Sequence, residues 1–87
     1  MGSTRQIITN LNLPDLGVGE QGVIIGYERS QGRYLNRLLA MGLTRGTLVR
    51  IVRKAPMGDP IDVSLRGYRL TLRKEEAKVL FIERTAG

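Results

Sequence analysis

The sequence predicts a mainly β domain: a small five-stranded barrel with one helical insertion between the first and second barrel strands. Three observations carry this. Short stretches alternate apolar and polar residues between glycine and proline turns, as Ile61, Val63 and Leu65 do against Asp62, Ser64 and Arg66. Only the stretch 33–41 changes period, with Leu35, Leu38 and Leu39 at i, i+3 and i+4. Finally, 87 residues suffice for a single core. An open sheet with both faces covered would need more chain, whereas a rolled sheet lets one interior serve every strand and removes most edges.

The elements follow in order. Residues 1–7 are expected as a flexible N-terminus, with a short pairing strand around Ile7 and Ile8 as the alternative. Leu11, Leu13 and Leu16 flank Pro14, which fixes its own φ, and read as a flap over one end of the barrel. Gly17 to Glu20 is a turn, and 21–28 is a strand rich in Val, Ile and Tyr. Helix 33–41 places Arg33 and Arg37 four apart on one side, and Gly42 is positioned to end it in a left-handed conformation.

A turn through Gly46 leads to strand 48–53. Two prolines and a glycine between Lys54 and Pro60 oppose regular structure and predict a projecting hairpin loop. Strand 61–66, a tight reversal at Gly67, strand 68–73, one helical turn at 74–77 and strand 79–83 complete the set. The expected core is Val23, Ile25, Leu38, Val49, Ile51, Ile61, Val63, Leu70, Leu72, Leu80 and Ile82. The inward faces of 23–25 and 80–82 stay open, because Ile24, Val79 and Phe81 are apolar too and a one-residue slip exchanges the faces.

Composition narrows the function. There is no histidine and no cysteine, so imidazole and thiolate catalysis and the commonest transition-metal ligands are excluded. Ser30 and Ser64 lack a partner base, which leaves them as ordinary loop and strand residues. Asp59 and Asp62, three apart across Pro60, could supply half of a hard-cation site, but solvation of a turn is the commoner use. Gly17, Gly19, Gly22 and Gly26 match no phosphate-binding fingerprint and read as turn and curvature glycines. No catalytic, cofactor or metal residue is therefore expected.

No apolar stretch approaches the roughly 20 residues that cross a bilayer, and the first residues carry no secretory or myristoylation pattern, so a cytoplasmic location is expected. Fourteen Arg and Lys against eight Asp and Glu give a net charge of +6, spread along the chain rather than gathered in a tail. That balance favours an acidic partner without choosing between protein, membrane surface and nucleic acid. Tyr27, Tyr34, Tyr68 and Phe81 are too scattered to form a base-stacking platform.

The most suggestive surface combines the helix with the loop at 55–60. A helix buries only part of its circumference against a small barrel, so Tyr34, Leu35, Leu39, Met41 and Leu43 need not all be interior. With Arg37 on the rim and Met57 at the loop tip, they form a candidate protein-interaction surface for an extended peptide or a partner helix. Simple core packing of the same residues remains the competing reading.

The order of features resembles the FeoA family, small SH3-like proteins of the bacterial ferrous iron transport system. The residues responsible are Leu13-Pro14-Asp15-Leu16, Gly19-Glu20-Gln21-Gly22, the run from Arg37 through Met41-Gly42-Leu43 to Thr47, Ala55-Pro56-Met57-Gly58-Asp59-Pro60-Ile61, and the stretch from Gly67 to Ala77. The resemblance implies a five-stranded SH3-like barrel over 8–83, with a C-terminal tail at 84–87. It also implies a noncatalytic cytoplasmic accessory role in ferrous iron uptake, binding and modulating the cytoplasmic part of a FeoB-type membrane transporter. Such a protein would reach the inner membrane only through that partner. Its cofactor expectation is none. The alternative is a basic barrel that binds nucleic acid through backbone phosphates, and exposed strand edges leave weak self-association open.

Overall fold

The computed structural model describes residues 11–29 and 32–85. The arm expected at 1–7 and the strand expected around Ile7 and Ile8 lie outside the described residues. Along the chain come β1 (Leu11–Asn12), β2 (Gln21–Tyr27), α1 (Gly32–Ala40), β3 (Leu48–Lys54), β4 (Ile61–Leu65), β5 (Tyr68–Leu72), α2 (Lys74–Ala77) and β6 (Leu80–Thr85). Two short 3-10 turns, Leu13–Asp15 and Pro56–Gly58, lie in the connections. The fold is mainly β and SH3-like, with the helical insertion falling between β2 and β3 as the change of period predicts.

All strand pairs are antiparallel, in the order β1-β6-β2-β3-β4-β5. Here the structure corrects two expectations: among the described residues there are six strands rather than five, and their sheet does not close into a barrel, since β1 and β5 remain its two edges. The sixth strand is the two-residue β1, which lays Leu11 and Asn12 against Ile82 and Phe81 of β6. It stops there because Pro14 has no N–H to offer a ladder, and the chain instead closes a turn in which Leu16 N–H donates to Leu13 O at 3.1 Å. That turn sends Leu13 and Leu16 into the interior, where they join Leu38 of α1 and Ala77 of α2 in one apolar cluster with the inward faces of the strands. Helices and a turn thus fill the space that a closing strand pair would have sealed.

Inward positions on β4 are those read from the alternation: Ile61, Val63 and Leu65 are buried and Asp62 and Ser64 are not. On β2 the core list names Val23 and Ile25 while leaving the inward face open, and the structure takes the other face. Ile24 is buried, Val23 is half-buried and Ile25 is exposed. The cause is Gly22, where a Cβ would strike the Ile82 side chain and approach Glu83 O to 2.8 Å. Only glycine fits that close crossing with β6, so the inward set must run through 22 and 24. On β6, whose inward face the sequence left open, Leu80 and Ile82 face inward, and the strand continues through Arg84 and Thr85, which pair with Gly22 and Gln21.

Candidate docking surface

Helix α1 is fastened before it is exposed. Its one fully buried side chain is Leu38, and its C-terminus forms a Schellman motif: Gly42, at φ 94°, donates its N–H to Leu39 O at 3.0 Å, and Leu43 N–H donates to Leu38 O at 3.0 Å. The motif folds Leu43 back over Leu38, and Leu43 is 0% exposed. This corrects the sequence expectation, which left Leu43 among the docking residues. The Tyr68 hydroxyl then donates to Met41 O at 2.6 Å, and a Cβ on Gly42 would come within 2.5 Å of that oxygen. The backbone angle is what favours glycine at 42, and a side chain there would also have to displace the Tyr68 hydroxyl.

Helix α1 is also tied to α2. Arg37 Nη1 lies 3.3 Å from Glu76 Oε2, while Glu76 Oε1 accepts the Arg73 backbone N–H at 2.9 Å. Glu76 is only 5% exposed, so Arg37 supplies the countercharge that a buried carboxylate needs. Tyr34 meets the neighbouring acid. The Glu75 carboxylate beside its hydroxyl raises the phenol pKa above the ordinary value, helped by partial loss of water, a hydrogen bond to Glu75 and the more distant Glu76, and opposed by Arg33. Tyr34 and Glu75 also line an open cleft of about 380 Å³ with Glu28, Lys78 and Val79.

The seven expected docking residues therefore separate. Tyr34 and Arg37 face α2, Leu43 is core, and Met41 is half-buried against the core. Leu35, half-buried, and Leu39, 38% exposed, are left as the open apolar positions of α1. Met57 is 94% exposed but stands apart. Its hairpin adjoins the Ile61–Leu72 end of the β4–β5 pair, fastened by Lys74 N–H to Asp59 Oδ1 at 3.0 Å, whereas Met41 sits at the Leu65–Tyr68 end. The single cleft drawn from the sequence is thus two separate apolar features.

Asp59 and Asp62 do not converge either: Asp59 holds Lys74 N–H, and Asp62 pairs with Arg53 at 3.5 Å and accepts from Thr71 Oγ1 at 2.8 Å. Among the described residues no group of three or more potential metal-ligating side chains comes together, and no helix is long and apolar enough to cross a membrane. Sequence reasoning missed the outer face of the sheet, where Ile25 and Leu48 are exposed beside the half-buried Val23.

A six-stranded antiparallel sheet with one inserted helix, tied down through Arg37 and the Tyr68 hydroxyl, defines a small SH3-like domain whose open features are surfaces. Residues 11–84 match the FeoA domain model, and the chain belongs to the FeoA family. It is 33% identical over 73 residues to a fusion of Fe(2+) transport protein A with the Fe(2+) transporter FeoB from Porphyromonas gingivalis; the alignment covers 84% of this chain and 8% of that protein. The chain thus spans less than a tenth of that relative's length. Among solved structures, the FeoA-like protein of Clostridium acetobutylicum superposes with a TM-score of 0.82 at 37% identity, covering 90% of both chains. The zinc complex of Stenotrophomonas maltophilia FeoA gives a TM-score of 0.74 at 28% identity over 84% of this chain and 89% of that one.

Proposed function

We propose that this chain is a noncatalytic cytoplasmic accessory protein of ferrous iron uptake that binds and modulates the cytoplasmic part of a FeoB-type transporter, reaching the inner membrane only through that partner. One observation carries the reading: a relative of this domain is fused in one polypeptide to the FeoB transporter itself. Covalent fusion holds two modules at high effective concentration, which is the arrangement expected of segments that act together. The docking residues are those of α1 that remain open, Leu39 first and Leu35 beside it, with Arg37 and Tyr34 on the α2 side, Met41 behind and Met57 as a separate outlying contact.

The test is Leu39→Asp. Its side chain is already partly in water, so the folded spectrum should persist while affinity for the purified cytoplasmic region of the transporter falls at least tenfold, as loss of a central apolar anchor costs. Unchanged affinity with an intact fold would reject this surface. A wild-type complex that instead dissolves steeply with salt, and is replaced by binding to generic DNA or RNA, would favour the phosphate-binding alternative.

A further inference from the structure

On the outer face of β3, β4 and β5, two neighbouring rungs of the ladder share an arginine on β3 but differ at the centre and on β5. In one rung Arg53, Asp62 and Thr71 lie directly opposite one another, and in the next Arg50, Ser64 and Arg69 do. The first is complete: the Asp62 carboxylate sits 3.5 Å from Arg53 Nη1 and accepts from Thr71 Oγ1 at 2.8 Å. The second places an arginine on each side of a small neutral hydroxyl. Arg69 has no side-chain partner among the described residues, and Arg50 uses only Nε, donating to Gly19 O at 3.4 Å. The acid in the adjoining turn, Glu20, is engaged by Arg84 at 3.4 Å and by Gly17 N–H at 2.7 Å.

This rung forms the floor of an open cleft of about 350 Å³, walled by Val18 and Val52. Val18 is 62% exposed. We propose that the Arg50–Ser64–Arg69 rung is a recognition notch for a carboxylate side chain of an acidic, extended protein segment. The incoming carboxylate takes the place over Ser64 that Asp62 fills in its own rung, accepting from both guanidinium groups and from the Ser64 hydroxyl. An apolar neighbour in the same segment covers Val18.

Charge complementarity chooses the class of ligand. Guanidinium groups bind carboxylate and phosphate alike, but a polyphosphate backbone needs a continuous positive track, and here the very next rung is occupied by the negative Asp62. No aromatic ring lines the cleft for a base to stack on. An apolar wall beside a two-arginine floor matches a glutamate or aspartate flanked by an aliphatic residue. The notch is built by different elements from α1, and its test uses no transporter, so it stands or falls separately from the accessory role.

The experiment is an amide and arginine Nε–H NMR titration of the full chain with an end-capped peptide alternating Glu and Val, against the same peptide with Gln for Glu. Saturable shifts centred on Arg50, Ser64 and Arg69, with affinity lower by tenfold or more for the Gln peptide, are expected; one charge-assisted contact is worth about that factor. Ser64→Asp should lose the Glu peptide by a similar factor, because it supplies the missing carboxylate internally. Arg69→Gln, on an exposed edge position, repeats the test should Ser64→Asp disturb the fold. Equal binding of the two peptides, full affinity in both variants, or shifts scattered over all surface arginines would overturn the proposal. Tighter binding at this notch by a single-stranded oligonucleotide or by inorganic phosphate would also overturn it, in favour of a phosphate site.

Discussion

Helix α1 and the outer face of β3–β5 are both basic in sequence, yet they leave opposite things unpaired. On α1 Arg37 neutralises the buried Glu76 and Tyr34 leans on Glu75, so beside the exposed Arg33 what remains open is apolar, Leu39 above all. At the Arg50–Ser64–Arg69 rung the apolar neighbours Ile51 and Val63 are fully buried, Leu48 lies exposed further along β3, and what the rung itself leaves open is a pair of arginines. A net charge of +6 therefore says little by itself about recognition. What matters is which cations already have a partner within the fold. One surface is suited to binding by area removed from water, which salt disturbs little, and the other by charge, which salt weakens.

The sharpest way to break the contrast is to loosen the helix from its anchor. Leu38 is the one fully buried side chain of α1 and touches Leu43 through the Schellman motif. Leu38→Ala should cost about 2 to 5 kcal/mol, the range for a buried leucine that leaves a cavity. That is a large part of a small domain's stability of about 5 to 15 kcal/mol. Urea denaturation of both proteins measures it. A loss below about 1 kcal/mol would mean that α1 is held by its polar ties rather than by its apolar contact.

A smaller effect is expected from the tie itself. Arg37→Met keeps the aliphatic stem and removes the charge opposite Glu76. The carboxylate is buried, but the arginine side chain is 66% exposed and well screened, so the loss belongs near the surface-pair value of about 1 kcal/mol rather than that of a fully buried pair. The backbone N–H of Arg73 still satisfies one Glu76 oxygen. The same denaturation curves check it, and the loss should shrink in high salt.

How far these regions could be read from sequence depended on whether one residue type occupied both candidate faces. On β4 the polar residues between Ile61, Val63 and Leu65 left only one inward choice, and the structure has it. On β2 the run Val23, Ile24 and Ile25 offered two, and the choice was made by the crossing at Gly22, a contact with β6 sixty residues away in the chain. Strand number and closure were illegible for a related reason: they rest on a two-residue edge pairing, too short to show a period. Leu43, by contrast, was readable. A glycine ending a helix and followed by a leucine signals a hydrophobic contact back onto the last turn, and weighing that signal would have moved Leu43 from the surface to the core. The notch was hidden because arginines spread through a sequence become a pair only once strand register sets them on either side of Ser64.

The finest distinction between the two regions concerns Tyr34. Its phenol is raised above the ordinary value of about 10, chiefly by the Glu75 carboxylate, so the folded protein holds that proton more tightly than the unfolded chain does. The sign follows from linkage. The stabilisation is fully present below the unfolded pKa and is lost as pH climbs through the raised folded value, because the unfolded chain then gains by ionising first. Tyr34→Phe should remove this part of the alkaline decline and, by deleting the hydrogen bond to Glu75, lower stability slightly near neutral pH. Glu75→Gln should bring the Tyr34 titration, followed by NMR of its ring, back down toward the ordinary value. A Tyr34 midpoint that stays where it was in Glu75→Gln would show that the phenol senses its loss of water rather than its acidic neighbour, and Arg37–Glu76 would then be left as the electrostatic tie of the α1–α2 junction.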